Sequence, residues 1–223
     1  VDHTDELFEG LKVVNTVYKS QNVIHACNTD TLGAIYSIES AIKSTTIKNI
    51  LILGCGGAGY PVAVKLSEYY SCNVFVYDIR TINAIFNTKV IKVIKSLNEI
   101  FPQKFEVIIN ATPLGKFYKN TLISGLNSPL DYSMIKQLSH PDTILMEMNY
   151  LPEYTFFLQC GLALGLRVIP GVNMLVHQAI ASLAKYYPER EINIDTNLII
   201  AKMLKFIKLN EEKIFNLKVN DYK

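Results

Sequence analysis

One decapeptide decides most of what this chain can fold into. Ile50-Leu51-Ile52-Leu53-Gly54-Cys55-Gly56-Gly57-Ala58-Gly59 runs four aliphatic residues straight into GxGxxG. Aliphatic residues without polar alternation predict a strand buried on both faces, the kind found in parallel sheets covered by helices. The glycines then specify strand, turn and helix. Gly54 permits the tight turn, Gly56 lets backbone approach a pyrophosphate, and Gly59 allows the helix to pack closely on the strand. The helix N-terminus presents oriented N–H groups to an anion. Asp78 ends the next apolar run, nineteen positions after Gly59, where a carboxylate accepts hydrogen bonds from the adenosine ribose hydroxyls. Its other reading is a cap on the next short helix. Arg80, two residues on, keeps a 2′-phosphate in play, because a guanidinium offsets the repulsion of Asp78.

Downstream of the turn the pattern repeats. Apolar runs at 50–53, 74–77, 107–109, 143–148 and 167–169 alternate with amphipathic stretches at 58–70, 131–138, 155–164, 173–186 and 195–209. This is the sequence form of repeated βαβ units, and it predicts an α/β fold with a doubly wound, Rossmann-type parallel sheet. Upstream, 11–18 and 21–26 predict two short strands in a hairpin around Lys19-Ser20. Leu32, Ile35, Tyr36, Ile38 and Ile42 then fall at helical spacing behind Thr29 and Asp30, either of which suits an N-cap. The expected organisation is residues 1–30 as the remnant of a separate unit, 31–187 as a dinucleotide-binding domain and 188–223 as a terminal helix.

A chain of 223 residues that is 49% hydrophobic can bury such a core without a disulfide or metal staple. Cys27, Cys55, Cys72 and Cys160 form no CxxC pair and no histidine stands near them at ligand spacing. No metal site is expected, and the setting expected is reducing and cytoplasmic. A net charge of +2 gives no footprint for nucleic acid or anionic lipid. Lys202, Lys205, Lys208 and Lys213 read as a solvated helix face. No apolar run reaches the roughly 18 residues of a membrane span. The partner these features leave is a small molecule, and no oligomeric state follows from them.

Six motifs in order are more specific than any one of them. They are Val14-Asn15-Thr16-Val17, Asn28-Thr29-Asp30, Gly54-Cys55-Gly56-Gly57-Ala58, Asn110-Ala111-Thr112-Pro113-Leu114-Gly115, Tyr150-x-Pro152 and Gly171-x-x-Met174-Leu175-Val176-x-Gln178-Ala179. Through this series the chain resembles the shikimate dehydrogenase family, including its quinate-using relatives, over nearly its whole length. The resemblance implies an N-terminal substrate domain, a nucleotide domain, and a terminal helix that packs back on the substrate domain. It implies reversible hydride transfer between a nicotinamide and the 3-carbon of a shikimate-type ring, the reduction of 3-dehydroshikimate to shikimate in aromatic amino-acid and chorismate biosynthesis. It assigns Asp30 a catalytic role shared with a Lys, and gives Asn15, Asp30 and Gln178 the ring hydroxyls. Tyr150 is placed at substrate and nicotinamide. Gly54, Cys55, Gly56, Gly57 and Ala58 form the pyrophosphate loop, with Asn110, Ala111 and Thr112 under the cofactor and Met148 and Gly171 beside the nicotinamide. Asp78 and Arg80 complete the cofactor set. Taken singly, several have plainer readings: Asn15 as a hairpin residue, Asp30 as a cap, Gln178 as an interhelical amide, Met174 and Leu175 as core.

The sequence also departs from the family. Its Ser-x-Ser carboxylate-binding motif and its Asn-Val-Thr-x-Pro-x-Lys motif, whose Lys is the acid/base, do not occur in these residues, and Lys12 and Lys19 stand in the wrong context. With Val1 rather than Met first, the expectation is a fragment of a longer enzyme, inactive by itself. A naturally truncated, noncatalytic dinucleotide-binding module is the alternative. NADP-using members place Asn-Arg-Ser/Thr after the second strand, whereas Asp78-Ile79 stands here, so NAD is expected over NADP. NAD use would also suit a quinate/shikimate dehydrogenase working in the catabolic direction. Smaller departures are Lys116 where a Met often follows the Leu-Gly exit, Thr31 where a Gly often follows Asn-Thr-Asp, and Glu147 where an Asp usually precedes Tyr-x-Pro.

Overall fold

The computed structural model describes residues 2–4, 13–42, 46–80, 90–116, 127–190 and 193–220. Nine strands and six α-helices lie within them. A small sheet holds β1 (His3–Thr4), β2 (Thr16–Ser20) and β3 (Val23–Cys27), with β2 and β3 antiparallel and β1 parallel to β3. The hairpin turn is Gln21-Asn22 rather than Lys19-Ser20. Both turn residues have positive φ, 47° and 65°, which matches the right-handed twist of the flanking strands in a two-residue loop. Leu11 and Lys12, expected to begin the first strand, lie outside the described residues.

The larger sheet holds β4 (Asn49–Leu53), β5 (Asn73–Tyr77), β6 (Ile91–Ile94), β7 (Val107–Asn110), β8 (Ile144–Glu147) and β9 (Arg167–Ile169). All pairs are parallel, in the order β6-β5-β4-β7-β8-β9. The chain therefore starts in the middle, winds out one way and then returns to wind out the other, which is the doubly wound, Rossmann-type arrangement. Its strand order reverses between β4 and β7, and ligands of such sheets bind at the carboxyl ends beside that reversal. Register sharpens the point. Tyr77, Leu53, Asn110 and Glu147 stand in one row across four strands, so the residues after them emerge together along one edge.

Both faces of this sheet are covered, and this is why the strands read as unbroken apolar runs. Ile50, Ile52, Val74, Val76, Ile109 and Met146 face α1 (Asp30–Ala41), α2 (Gly59–Tyr69) and α5 (Gly171–Tyr186) through Ile35, Ile38, Val62, Leu66 and Met174. Leu51, Leu53, Phe75, Ile108 and Leu145 face α3 (Tyr132–Leu138) and α4 (Phe156–Ala163) through Ile135, Leu138, Phe157 and Leu158. Asp131 and Thr155 cap the last two helices by accepting from Met134 N at 2.8 Å and Leu158 N at 3.5 Å. β6 was not expected. It is a four-residue edge strand whose Lys92 and Val93 are exposed, so it carries no apolar run to read.

One further expectation changes. Thr29 is the N-cap position of α1, but its hydroxyl makes no cap bond; Asn28 Oδ1 accepts from Asp30 N at 3.1 Å instead. The last helix, α6 (Thr196–Asn220), lays part of its apolar face on α5. Ile199, Met203 and Ile207 pack with Val172, Val176 and Ile180 of α5, while Leu198 and Phe206 remain exposed. No helix among the described residues is long and apolar enough to cross a membrane.

Candidate functional site

The glycine turn follows β4 directly. Gly54 has φ +99°, and a Cβ on it would stand 2.9 Å from the Ala111 carbonyl; a Cβ on Gly59 would collide with the Gly54 carbonyl oxygen. Only glycine satisfies the first requirement without strain, and the second lets α2 begin against the turn. Asp78 is bound to this turn. Its Oδ2 accepts from Cys55 N at 2.8 Å and from Arg80 Nη2 at 2.8 Å, and its Oδ1 accepts from Arg80 N at 2.9 Å and Arg80 Nε at 3.0 Å. The Arg80 fork, joined by two backbone donors, holds the Asp78 carboxyl well below the usual carboxylate range. Two donors on each oxygen fill the carboxylate's four acceptor directions. Burial first, and Asp78 second, push the Cys55 thiol up to about 11, which keeps it an unreactive neutral thiol.

Beside the turn, a cavity of about 400 Å³ opens at the carboxyl ends of β7 and β8. Ala58 at the start of α2, Ala111 and Thr112 after β7, Met148 after β8 and Gly171 at the start of α5 line it together with Asp30, Tyr150 and Gln178. Eight expected site residues from five places in the chain thus share one wall. Gly54, Cys55, Gly56, Gly57, Asp78 and Arg80 belong to the adjoining turn and are not part of this lining. Asn149 and Leu175 line the cavity without having been expected there, and Lys116, which stands where a Met often follows the Leu-Gly exit, lines it too. Lys116 Nζ stands 6.0 Å from the Tyr150 ring centroid, at the reach of a cation–π contact.

A polar network sets Asp30 and Gln178. Asn15 Nδ2 donates to Asp30 Oδ1 at 2.9 Å, and Asn15 Oδ1 accepts from Thr29 N at 2.8 Å. Both ends of the amide are used, so Asn15 fixes Asp30 from behind and is absent from the cavity lining. Gln178 Nε2 donates to the Leu175 carbonyl at 3.1 Å, and its Oε1 lies 3.2 Å from Thr29 Oγ1. Ser182 Oγ joins from the next turn of α5, 3.0 Å from Thr29 Oγ1 and 2.9 Å from Thr16 Oγ1. Burial raises the Asp30 carboxyl above its ordinary value, opposed in part by the Asn15 bond. A carboxyl so placed is suited to exchange a proton with an oxygen in the cavity.

Asn110 lies outside the cavity lining. Its side chain is wholly buried, donating to Glu147 Oε2 at 2.9 Å and the Leu114 carbonyl at 3.1 Å while Oδ1 accepts from Thr112 N at 3.0 Å and Thr112 Oγ1 at 2.7 Å. Through these bonds it shapes the β7 exit from beneath. Among the described residues no cluster of His, Cys, Asp or Glu could hold a metal ion. Lys12 lies outside the described residues, and Lys19 is exposed on β2.

No protein-family model matches the chain. Curated relatives do: the shikimate dehydrogenase (NADP(+)) of Methanococcus aeolicus is 30% identical over 207 residues, covering 90% of this chain and 72% of that protein. The chain belongs to the shikimate dehydrogenase family. The corresponding protein of Ignicoccus hospitalis is 32% identical over 183 residues, covering 82% of this chain and 65% of that protein. The chain thus spans about two thirds of the length of these shikimate dehydrogenases. Shikimate dehydrogenase 1 from Peptoclostridium difficile matches with a TM-score of 0.69 at 27% identity, over 86% of this chain and 67% of that one. A chorismate mutase/shikimate 5-dehydrogenase fusion from Clostridium acetobutylicum matches at 0.69 and 26%, over 87% and 67%. Quinate dehydrogenase from Corynebacterium glutamicum, solved with NAD, shares the fold at 0.73 and 21%, over 92% and 72%.

In this shikimate dehydrogenase family member sequence reading missed Ser182 and Thr155, which touch other side chains, and Asn149, which also lines the cavity. Ser182, Asn149 and Thr155 carry no motif that marks them. The one available signal was helical spacing, which puts Ser182 one turn after Gln178 on the same face of α5.

Proposed function

We propose that this chain carries the dinucleotide site and part of the substrate site of an NAD(P)-dependent enzyme that interconverts 3-dehydroshikimate and shikimate. The observation that carries the reading is the convergence of Asp30, Tyr150 and Gln178 on the cavity also lined by Ala58, Ala111, Thr112, Met148 and Gly171. On this reading residues 1–30 and 188–223 belong with the substrate unit and 31–187 with the dinucleotide unit.

The residues present fit a dinucleotide. Among the described residues, a Cβ on Gly56 would have only the Arg80 guanidinium nearby, at 3.7 Å, which leaves room over the turn where backbone N–H groups and the α2 N-terminus favour an anion. When bound, a nicotinamide supplies or accepts the hydride. The chain's own residues do the rest. The 54–58 turn holds the pyrophosphate and Asp78 the adenosine ribose. Ala111, Thr112, Met148 and Gly171 form the wall beside the nicotinamide. Gln178, oriented by Leu175 and Thr29, and Tyr150 hold a polyol, and Asp30, oriented by Asn15, exchanges a proton with the reacting oxygen in concert with a Lys that these residues do not include.

NAD is favoured over NADP, because an ionised Asp78 repels a 2′-phosphate. The two curated relatives named above are NADP(+) enzymes, so Asp78 with Arg80 is where this chain would part from them. An NAD preference of tenfold or more in kcat/KM supports the reading, and a tenfold NADP preference would sink it. The polypeptide as it occurs in its native source should turn over shikimate. Binding of cofactor with turnover of neither shikimate nor quinate would defeat the assignment and favour a noncatalytic module. Faster oxidation of quinate than of shikimate would move the reading to the catabolic enzyme.

A further inference from the structure

Glu147 closes β8 and is 0% exposed. Five donors converge on it. Oε1 accepts from Met148 N at 3.0 Å, Asn149 N at 2.9 Å and Asn149 Nδ2 at 2.8 Å, and Oε2 accepts from Asn110 Nδ2 at 2.9 Å and Thr155 Oγ1 at 2.8 Å. Asn149 Nδ2 continues to the Thr112 carbonyl at 2.9 Å. The carboxylate therefore joins three pieces of chain: the end of β7, the exit of β8 and the cap of α4. The two exits it joins carry Ala111, Thr112, Met148 and Tyr150 of the cavity wall. The glycine turn and Asp78 have no bond to it.

We propose that Glu147 is the positioning residue for the nicotinamide end of the dinucleotide site, clamping the β7 and β8 exits together from beneath. This rests on the dinucleotide reading above. The clamp depends on charge. An ionised Glu147 accepts all five bonds, whereas a protonated one brings a hydrogen of its own among five donors and gives up at least one bond. Burial pushes this carboxyl up to about 7, so the two forms exchange near neutral pH. Its partners, Asn110 from β7, Met148 and Asn149 from the β8 exit and Thr155 from the α4 cap, carry no titratable or charged group.

The test is calorimetric binding of NAD+ and of ADP-ribose, which lacks only the nicotinamide, to the wild-type chain and to Glu147→Gln. Gln presents an amide donor to donors and breaks the clamp, so NAD+ should bind at least tenfold more weakly while ADP-ribose stays within twofold. Glu147→Asp, which keeps the charge on a shorter arm, should restore part of the NAD+ affinity. In the wild type alone, the preference for NAD+ over ADP-ribose should rise severalfold from pH 6 to pH 8. Equal weakening of both ligands, or a ratio that is flat with pH, would overturn the proposal. A wild-type chain that binds neither ligand would overturn the dinucleotide reading and the proposal with it, whereas one that binds both while Glu147→Gln changes nothing overturns the proposal alone.

Discussion

Two buried carboxylates a few strands apart behave in opposite ways, and the difference lies in what neighbours them. Asp78 has a guanidinium and two backbone donors, so it stays ionised far into acid. Its contribution to stability is present above the unfolded value near 4 and is lost only as pH falls through the depressed folded value. Glu147 has no cation beside it among the described residues, and burial outweighs its hydrogen bonds. Between the unfolded value near 4.5 and the folded value of about 7 the folded state binds the proton more tightly, so this group's stabilisation is full below 4.5 and is lost as pH rises to 7. The loss is on the order of 3 kcal/mol at most. Melting at pH 5 and pH 8 should show it as a fall in Tm that Glu147→Gln flattens. The same ionisation that costs stability would favour the nicotinamide, so affinity and Tm should move in opposite directions across neutral pH. At the turn, Asp78→Ser removes the repulsion of a 2′-phosphate and leaves Arg80 free to meet it. The ratio of NAD+ to NADP+ affinity should then drop by at least tenfold, and an unchanged ratio would mean that Asp78 does not read the ribose.

At the scale of elements, the apolar runs of β4, β5, β7 and β8 marked strands because both faces of the sheet are covered. β6 was not legible, since an edge strand with exposed Lys92 and Val93 needs no such run. Helix ends were legible where a cap acts locally, as at Asp131. Thr29 misled because its hydroxyl is drawn to Asn15, Gln178 and Ser182, partners that no local rule foresees. Ile52, in β4 and 0% exposed, packs in the cluster with the helices of the first face. Ile52→Ala leaves a cavity there and should lower unfolding free energy by about 2–5 kcal/mol, measurable by urea denaturation. A cost under 1 kcal/mol would mean that this face is not close-packed.

For the whole molecule, α6 is joined to the rest mainly through α5, with Ile207, 5% exposed, against Val172 and Val176. Ile207→Ala should loosen α6 while leaving the six-stranded sheet protected, seen as faster amide exchange confined to 196–220. Faster exchange in β4 and β7 as well would show that α6 and the sheet open as one unit. The residues of the sequence by themselves determined the glycine turn, the parallel sheet and the acidic residue at its proper distance, because each follows from steric and hydrogen-bonding rules that act within a few positions. Only the tertiary structure decided how the site is held. Thr16 meets Ser182 across 166 positions and Asn110 meets Glu147 across 37, and neither pairing exists until β2 lies on α5 and β7 lies on β8. It also decided that Asn110 and Glu147 work from below the cavity. Burial and partner, which set the charge of a carboxyl and the reach of an amide, are properties of the packed chain and not of the residue.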